Sequence, residues 1–446
     1  MPIKVETGVK GRIDWPFVFA AMGLLVMGTI TMLSAASPLP YFGALVRNHF
    51  VALALGVLLF LAGLGFNYQI FQDQAKVLYG VCLSLLLAVL VVGSVHKGHR
   101  SWIHLGFLTF QPAELARILM ILVLAAVLEW RARKIKSFST ILLGFGMVAP
   151  MMALIIKQPD FSTTLTFFPI MLGMMFCAGA ELSHLLAIVG FGATTVSVPM
   201  LYIYCQINYP QAAAGTLPYF ILQTARLGKS TAFLLIGLTL FCLGAWRMAS
   251  WLRLQARAIV FVAVPIILSS GIITGILINR QMKGYQRNRF VAYVAPQADI
   301  QGAAYHVHQS QIAIGSGGVF GKGLFEGTQS QLGFLPERHT DFAYAVVGEE
   351  MGFIGTMTIL GLYLLLVWRI VLVGRLARDR YGFLVCAGLA TMFAFELALN
   401  VGMCVGLMPV AGIPLPLISY GGSSLMITLW SLGVIANIYS RRYALL

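Results

Sequence analysis

Residues 77–95 read VLYGVCLSLLLAVLVVGSV, nineteen positions without a charged side chain. A helix of about 20 residues rises about 30 Å, the thickness of a bilayer's hydrocarbon core. The stretch is long enough to cross a membrane. Similar apolar runs lie on both sides of it, near 15–36, 49–66, 115–130, 138–156, 163–180, 183–204, 231–246, 258–279, 342–368, 381–407 and 416–439. In lipid the backbone polar groups must be satisfied inside each segment, which selects helices. The fold class is therefore an all-α polytopic membrane protein with about 12 transmembrane helices. Composition agrees. Of 446 residues, 59% are hydrophobic and 10% are charged, and the mean hydropathy is +0.87. A soluble domain is about a quarter charged. This balance excludes a soluble enzyme, a disordered chain and a nucleic-acid-binding module, so no nucleic-acid partner is expected.

The chain carries 30 Lys and Arg against 15 Asp and Glu, a net charge of +15. Cationic loops hold the orientation of a membrane protein and meet anionic lipid. Some of these cations could also bind an anionic substrate. With the N-terminus placed inside, 17 basic residues fall in inner segments and 13 outside, six of the latter in the single loop 280–341. Long loops escape the positive-inside rule. The remaining contrast supports two cytoplasmic termini and an even number of spans. Ser34-Ala35-Ala36 resembles a signal-peptide cleavage site, but the run before it exceeds a signal peptide's apolar core of roughly 7–15 residues. The first run is read as an uncleaved span. Six cysteines are present, Cys82, Cys177, Cys205, Cys242, Cys386 and Cys404. Their lack of metal-type spacing makes them small buried residues with no disulfide framework.

The loop 280–341 is too long to be a plain connector and too varied to be low-complexity, so it is expected to fold against the membrane surface. Its cluster Gly315-Ser316-Gly317-Gly318-Val319-Phe320-Gly321-Lys322-Gly323 fails the phosphate-binding P-loop pattern twice. Ser316 stands where the first Gly is needed, and Lys322 is followed by Gly323. A tight turn or a close backbone approach is the better use. His306 and His308, two apart, would point about 200° apart on a helix, and no third ligand stands nearby at typical spacing. Asp299 has no other acid within twenty residues and stands among Arg287, Arg289, His306 and His308. It suits a turn cap. From local sequence alone the cap is the favoured reading, and the functional one is a general base acting on a hydroxyl, kept ionised by nearby cations. Glu349, Glu350 and Glu396 fall within apolar runs, where an ionisable group is either functional or structurally paired.

Together these motifs resemble the SEDS family (shape, elongation, division and sporulation), and most of all its rod-shape-determining branch. The resemblance rests on Gly315–Gly323 with Gly327-Thr328-Gln329-Ser330-Gln331 and Leu335-Pro336-Glu337-Arg338-His339-Thr340-Asp341-Phe342. It extends to Trp102, Phe110-Gln111-Pro112-Ala113-Glu114-Leu115-Ala116, Lys157-Gln158-Pro159-Asp160 and Gly412-Ile413-Pro414 through Ser424. The family has ten spans. The two extra runs here are read as an inserted hairpin within 205–279, which leaves 280–341 as the extracytoplasmic catalytic loop of a single membrane domain, 1–446.

The resemblance implies a peptidoglycan glycosyltransferase of the bacterial inner membrane. It would polymerise lipid II, a disaccharide-peptide on undecaprenyl pyrophosphate, during cell elongation. The family's catalytic Asp falls on Asp299, as general base on the acceptor GlcNAc 4-hydroxyl. Arg117, Lys157, Arg287 and Arg289 are the candidates for the pyrophosphate. The motif residues Trp102, Glu114, Gln309, Ser310, Lys322 and His339 complete the expected substrate-binding set. A divalent ion, Mg or Mn, is a candidate cofactor. The implied partners are a class B penicillin-binding protein and other elongation-complex membrane proteins. Three positions depart from the family: Asp299-Ile300-Gln301-Gly302 lacks the usual Pro, Arg117 replaces a Lys, and Phe161-Ser162-Thr163 replaces Leu-Gly-Thr. The rival readings are a lipid II flippase and a non-enzymatic scaffold for the penicillin-binding protein.

Overall fold

The apolar runs fold as helices. The structure, a computed structural model, describes residues 13–96, 99–105, 108–225, 227–253, 258–282, 284–298 and 302–443. In chain order the elements are α1 (Trp15–Ala36), α2 (Phe42–Gly65), α3 (Gln69–Asp73), α4 (Ala75–Val92), β1 (Ser94–His96), β2 (His99–Leu105) and β3 (Leu108–Phe110). There follow α5 (Pro112–Trp130), α6 (Phe138–Lys157), α7 (Phe161–Ala178), α8 (Leu182–Asn208), α9 (Leu217–Thr224), α10 (Lys229–Trp251), α11 (Ala258–Gln281) and α12 (Gly284–Val294). The chain ends with α13 (Ala303–Ser316), α14 (Thr328–Gln331), α15 (Ala343–Glu350), α16 (Gly352–Leu376), α17 (Arg380–Cys404) and α18 (Gly422–Ser440). Among the described residues, 11 helices are long and apolar enough to cross a membrane. α5 has comparable length but carries Glu114, Arg117 and Glu129. Counted with the 11, it gives the number of spans read from sequence. The small antiparallel sheet β1-β2-β3 was not foreseen.

The chain forms two units, Met1–Ala180 with Val307–Leu446, and Glu181–His306. The first is built around α17, most of whose residues are buried and which packs against α5, α7 and α16. α2 lies along α18, and glycines set their spacing. A Cβ at Gly433 would come within 2.3 Å of the Phe60 carbonyl oxygen, and one at Gly63 within 2.8 Å of that of Trp430. Small residues at helix contacts are how membrane helices reach close packing without a hydrophobic driving force. In the second unit α11 lies on α8 in the same way, with Gly275 against the backbone of Thr195. α10 exposes Phe233, Ile236, Leu240 and Phe241, a surface suited to lipid.

Two segments depart from a simple span. The run 342–368 is not one helix. It breaks at Met351–Gly352, where Gly352 has φ +63°, so the apolar span starts at Gly352 and α15 precedes it. The run 416–439 becomes helical only at Gly422, and residues 405–421 fold back as an irregular segment. Irregular backbone at membrane depth requires partners from the surrounding protein. Here Asn400 Nδ2 donates to the Ile413 oxygen at 2.8 Å and to the Asp341 oxygen at 3.0 Å. Ser419 Oγ accepts the Leu415 N–H at 2.9 Å. Tyr363 donates to the Pro416 oxygen and Ser162 to the Ala411 oxygen. Ala411 and Ile413 then pack on Leu399 of α17.

Candidate functional site

Tracing the spans of the first unit places one set of polar groups at the face opposite the chain termini. α5 enters the interior there. Gln111 stands at its N-cap, Pro112 at its first position, and Glu114 and Arg117 lie one turn apart. Arg117 donates to Glu114 on its own helix and to Glu396 on α17. All three are nearly or fully buried. One guanidinium between two carboxylates gives the cluster a formal charge of −1. Such a group stays charged inside a protein only when its charges are mutually compensated. Two of its atoms, Arg117 Nε and Glu396 Oε2, have no hydrogen-bond partner.

The next layer is the start of α7. Asp160 is its N-cap, accepting the Thr163 N–H at 3.0 Å and the Thr163 hydroxyl at 2.8 Å. Gln111 Nε2 donates to Asp160 at 2.8 Å and so ties the cap to the start of α5. Lys157, the last residue of α6, stands exposed beside this turn. It has no ion pair or hydrogen bond among the described residues.

A second cluster surrounds the break before α16. Glu349 Oε1 accepts the Gln329 N–H at 2.7 Å, Lys322 Nζ at 3.0 Å and the Thr328 hydroxyl at 3.1 Å, and Oε2 accepts the Ser330 N–H at 2.9 Å. Burial pushes the Glu349 carboxyl up, but the Gln329 N–H, Lys322 and Ser330 outweigh it and hold the group below the ordinary carboxylate value. Glu350 accepts the Ser34 hydroxyl at 2.6 Å and the Ser330 hydroxyl at 3.3 Å. The glycine-rich segment lies directly on this break. The Lys322 and Gly323 backbone N–H groups donate to the Glu349 and Glu350 backbone carbonyls at 3.0 and 3.1 Å. A Cβ at Gly317 would fall 2.0 Å from the Gly348 oxygen. The glycines therefore serve close backbone approach, and Gly327-Thr328-Gln329-Ser330 serves to receive a carboxylate.

The remaining candidates are distributed as follows. Trp102 lies on β2, half-buried, its carbonyl accepting from Ser94 at 3.1 Å. Ser310, on α13, is fully buried and donates to the Cys404 oxygen at 2.9 Å, which fixes α13 to the end of α17. Gln309 is its half-buried neighbour. His339 packs its ring 5.9 Å from that of Tyr420, and its carbonyl accepts the Tyr420 N–H at 2.8 Å. Arg287 and Arg289 lie on α12 of the second unit. Arg287 donates to neutral Gln206 at 2.7 Å, in a polar pocket of about 350 Å³ shared with Asn279 and Arg280. Asp299 lies outside the described residues.

The structure thus brings Arg117 and Glu114 together and binds Lys322 into a separate cluster. The candidate cations also differ in kind. Arg117 and Lys322 are compensated by carboxylates, whereas among the described residues Lys157 is unpaired and Arg287 donates to a neutral amide. Glu396, Asp160 and Gln111 were not singled out as site residues. Glu396 carried a visible signal, an acid inside an apolar run. Gln111 and Asp160 stand in quoted motifs, but their contact, across 49 residues, is not visible in them. Among the described residues no group of three or more His, Cys, Asp or Glu is arranged to hold a metal ion.

Comparison with known proteins is consistent along almost the whole chain. The FtsW/RodA/SpoVE family pattern, described as a cell cycle protein, matches residues 14–216 and 207–444. The peptidoglycan glycosyltransferase RodA of Treponema pallidum (strain Nichols) is 33% identical over 392 residues, covering 87% of this chain and 88% of that protein. The peptidoglycan glycosyltransferase MrdB of Escherichia coli (strain K12) is 31% identical over 433 residues, covering 97% and 95%. The crystal structure of the Thermus thermophilus rod shape determining protein RodA superposes with a TM-score of 0.59 at 27% identity, covering 97% of this chain and 98% of that one. A chain from a structure described as a peptidoglycan synthase complex coordinating polymerization and crosslinking gives 0.66 at 29% identity, covering 97% and 99%. The chain belongs to the FtsW/RodA/SpoVE family of cell cycle proteins, the SEDS family.

Proposed function

We propose that this protein is a peptidoglycan glycosyltransferase that polymerises lipid II at the extracytoplasmic face of a bacterial plasma membrane during cell elongation. Both termini then lie in the cytoplasm. The observation that carries the reading is the likeness over 87% to 97% of the chain to proteins named peptidoglycan glycosyltransferase. The reaction needs a base, a charge partner for the leaving group and a water-poor site. Asp299 takes the proton from the acceptor GlcNAc 4-hydroxyl. That oxygen attacks the anomeric carbon of the donor MurNAc. The bond from this carbon to the phosphate oxygen breaks, the linkage inverts from α to β, and undecaprenyl pyrophosphate leaves.

Negative charge grows on the leaving pyrophosphate, so fixed cations favour the transition state. Lys157, which has no ion pair among the described residues, is proposed for that role, and Arg287 and Arg289 are the candidates that the family resemblance adds. Arg117 acts at one remove, holding Glu114 and Glu396 in place. A divalent ion, Mg or Mn, would supply Lewis-acid stabilisation of the same charge; no residue is assigned to hold it. A class B penicillin-binding protein is the proposed partner, since glycan strands require cross-linking.

The buried acids argue against a flippase. Glu396 is paired with Arg117, and Glu349 and Glu350 are held by hydrogen bonds at one break. All three are engaged by partners within the protein, whereas a transporter requires a polar route through the bilayer. The test is to supply the purified protein and its partner with labelled lipid II and Mg, with transpeptidation blocked. The reading expects long glycan strands. Lipid II movement across vesicles without any polymer would replace it with the flippase.

A further inference from the structure

The reaction above makes no use of the apolar side chains in the glycine-rich segment. Val319 and Phe320 are exposed there, Phe320 by 81%. Their backbone is the reverse of a solvated loop's. The Gly318 and Val319 carbonyls accept the Phe353 and Ile354 N–H groups at 2.9 and 3.2 Å, two donors that the start of α16 would otherwise leave unpaired. The Gly321 N–H donates to the Gly317 carbonyl at 2.8 Å, and those of Lys322 and Gly323 donate to the end of α15. Polar backbone is turned inward and hydrocarbon outward. A segment at a lipid boundary needs this arrangement, because lipid offers the backbone no hydrogen bonds.

The depth of the segment agrees. Asp14, the N-cap of α1, pairs with Arg369 of α16 at 2.8 Å, which sets the inner ends of the two spans at one level. From there α1 rises about 33 Å to Ala36, enough for a hydrocarbon core of about 30 Å. α16 rises only about 25 Å to Gly352. The outermost lipid beside α16 therefore meets what lies against its first turn, and the backbone bonds put Val319 and Phe320 there. Along α16 the exposed side chains Phe353, Met357, Leu364 and Trp368 form one helical stripe, the face that this span turns to lipid. Val319 and Phe320 continue that face past the helix start.

We propose that Val319 and Phe320 form an interfacial anchor, inserted into the outer leaflet at the boundary between phospholipid headgroups and acyl chains. The anchor holds the break between α15 and α16, and with it the Glu349–Lys322 cluster, at the membrane surface. This inference needs only the membrane-spanning fold and not the glycosyltransferase reading.

The test places a nitroxide label on Phe320→Cys and, separately, on Val319→Cys. Both are made in the full-length protein with Cys177→Ala, since Cys177 is the exposed native thiol. The labelled protein is reconstituted, alone and with its partner, into vesicles of phosphatidylethanolamine and phosphatidylglycerol. Collision rates with oxygen and with a water-soluble nickel chelate report depth. Glu326→Cys, at an exposed charged position of the same loop, is the aqueous reference. Both tip labels are expected to meet oxygen and to exclude the chelate, at a depth of about 5–10 Å into the headgroup–acyl boundary. Chelate collisions as frequent at the tip as at Glu326→Cys would place it in water and overturn the proposal. A tip shielded from both reagents would also overturn it, because the patch would then be a contact with a second copy or with the partner.

Discussion

The Arg117 guanidinium on α5 donates to the Glu396 carboxylate on α17, across 279 positions of sequence and out of reach of water. With Glu114 as the second acceptor, the pairing joins a span carrying three charges to a largely buried helix of the first unit. It explains how α5 can lie inside the protein with ionised side chains.

Removing the cation should therefore be worse than removing one anion. Arg117→Met leaves two buried carboxylates facing each other and should cost about 3–5 kcal/mol. Glu114→Gln leaves a neutral Arg117–Glu396 pair and should cost about 1 kcal/mol. Arg117→Lys should fall between them, because an ammonium cannot fork to two acceptors. Thermal unfolding in detergent, followed by size-exclusion recovery, reads the order. Equal midpoints for Arg117→Met and Glu114→Gln would contradict it.

The glycine-rich segment makes a prediction that changes sign within two residues. Gly317→Ala places a methyl 2.0 Å from the Gly348 oxygen and should destabilise by about 1–3 kcal/mol. Gly315→Ala lies near the end of α13 with open space around it and should stabilise by about 0.5–1 kcal/mol. Paired melting curves check this.

Glu349 should give the fold an acid-sensitive component. Its carboxyl is held below the ordinary value of 4.5, so between the folded and unfolded values the unfolded chain binds more protons. Its contribution is complete above about pH 4.5 and is lost as pH falls through the folded value. In Glu349→Gln this part of the pH dependence should disappear, and the variant should be about 1–3 kcal/mol less stable at neutral pH. Stability measured from pH 3 to 7 on parent and variant tests both statements.

Lys157 and Arg287 should act on the substrate and not on the fold. Each is exposed, and neither is paired with a carboxylate among the described residues. Lys157→Ala or Arg287→Ala should lower kcat/KM for lipid II by about 10- to 100-fold, the worth of one charged hydrogen bond, with an unchanged Tm. A matching loss of Tm would return these residues to a structural role.

Much of the architecture was legible because lipid imposes one rule, a run of apolar residues long enough to span. The rule fails where charges are internally paired. α5 is apolar from Ile118 to Leu128 but is bounded by charges whose partner, Glu396, no local pattern reveals. It also fails at the break before α16, where Glu349 and Glu350 sit at the start of an apolar run and look like part of it. Glu349 accepts from the amides of Gln329 and Ser330 and Glu350 from the hydroxyls of Ser34 and Ser330, donors that only the folded chain brings to them. The early start of α2, at Phe42 where 49 was expected, has a similar cause. Arg47, Asn48 and His49 interrupt the apolar pattern without breaking the helix. In the candidate site the motif residues were visible in the sequence, but their division of labour was not. Whether a cation is compensated, as Arg117 and Lys322 are, or available, as Lys157 is, depends on distances across the fold.

The central claim is that Asp299 makes the acceptor hydroxyl nucleophilic. The most direct measurement is the rate of glycan polymerisation from lipid II by Asp299→Asn, purified with its partner and shown to keep the parental Tm. The account predicts a fall of about 10²- to 10⁴-fold, the usual contribution of a general base. Strands made by the variant at the parental rate and length would contradict it.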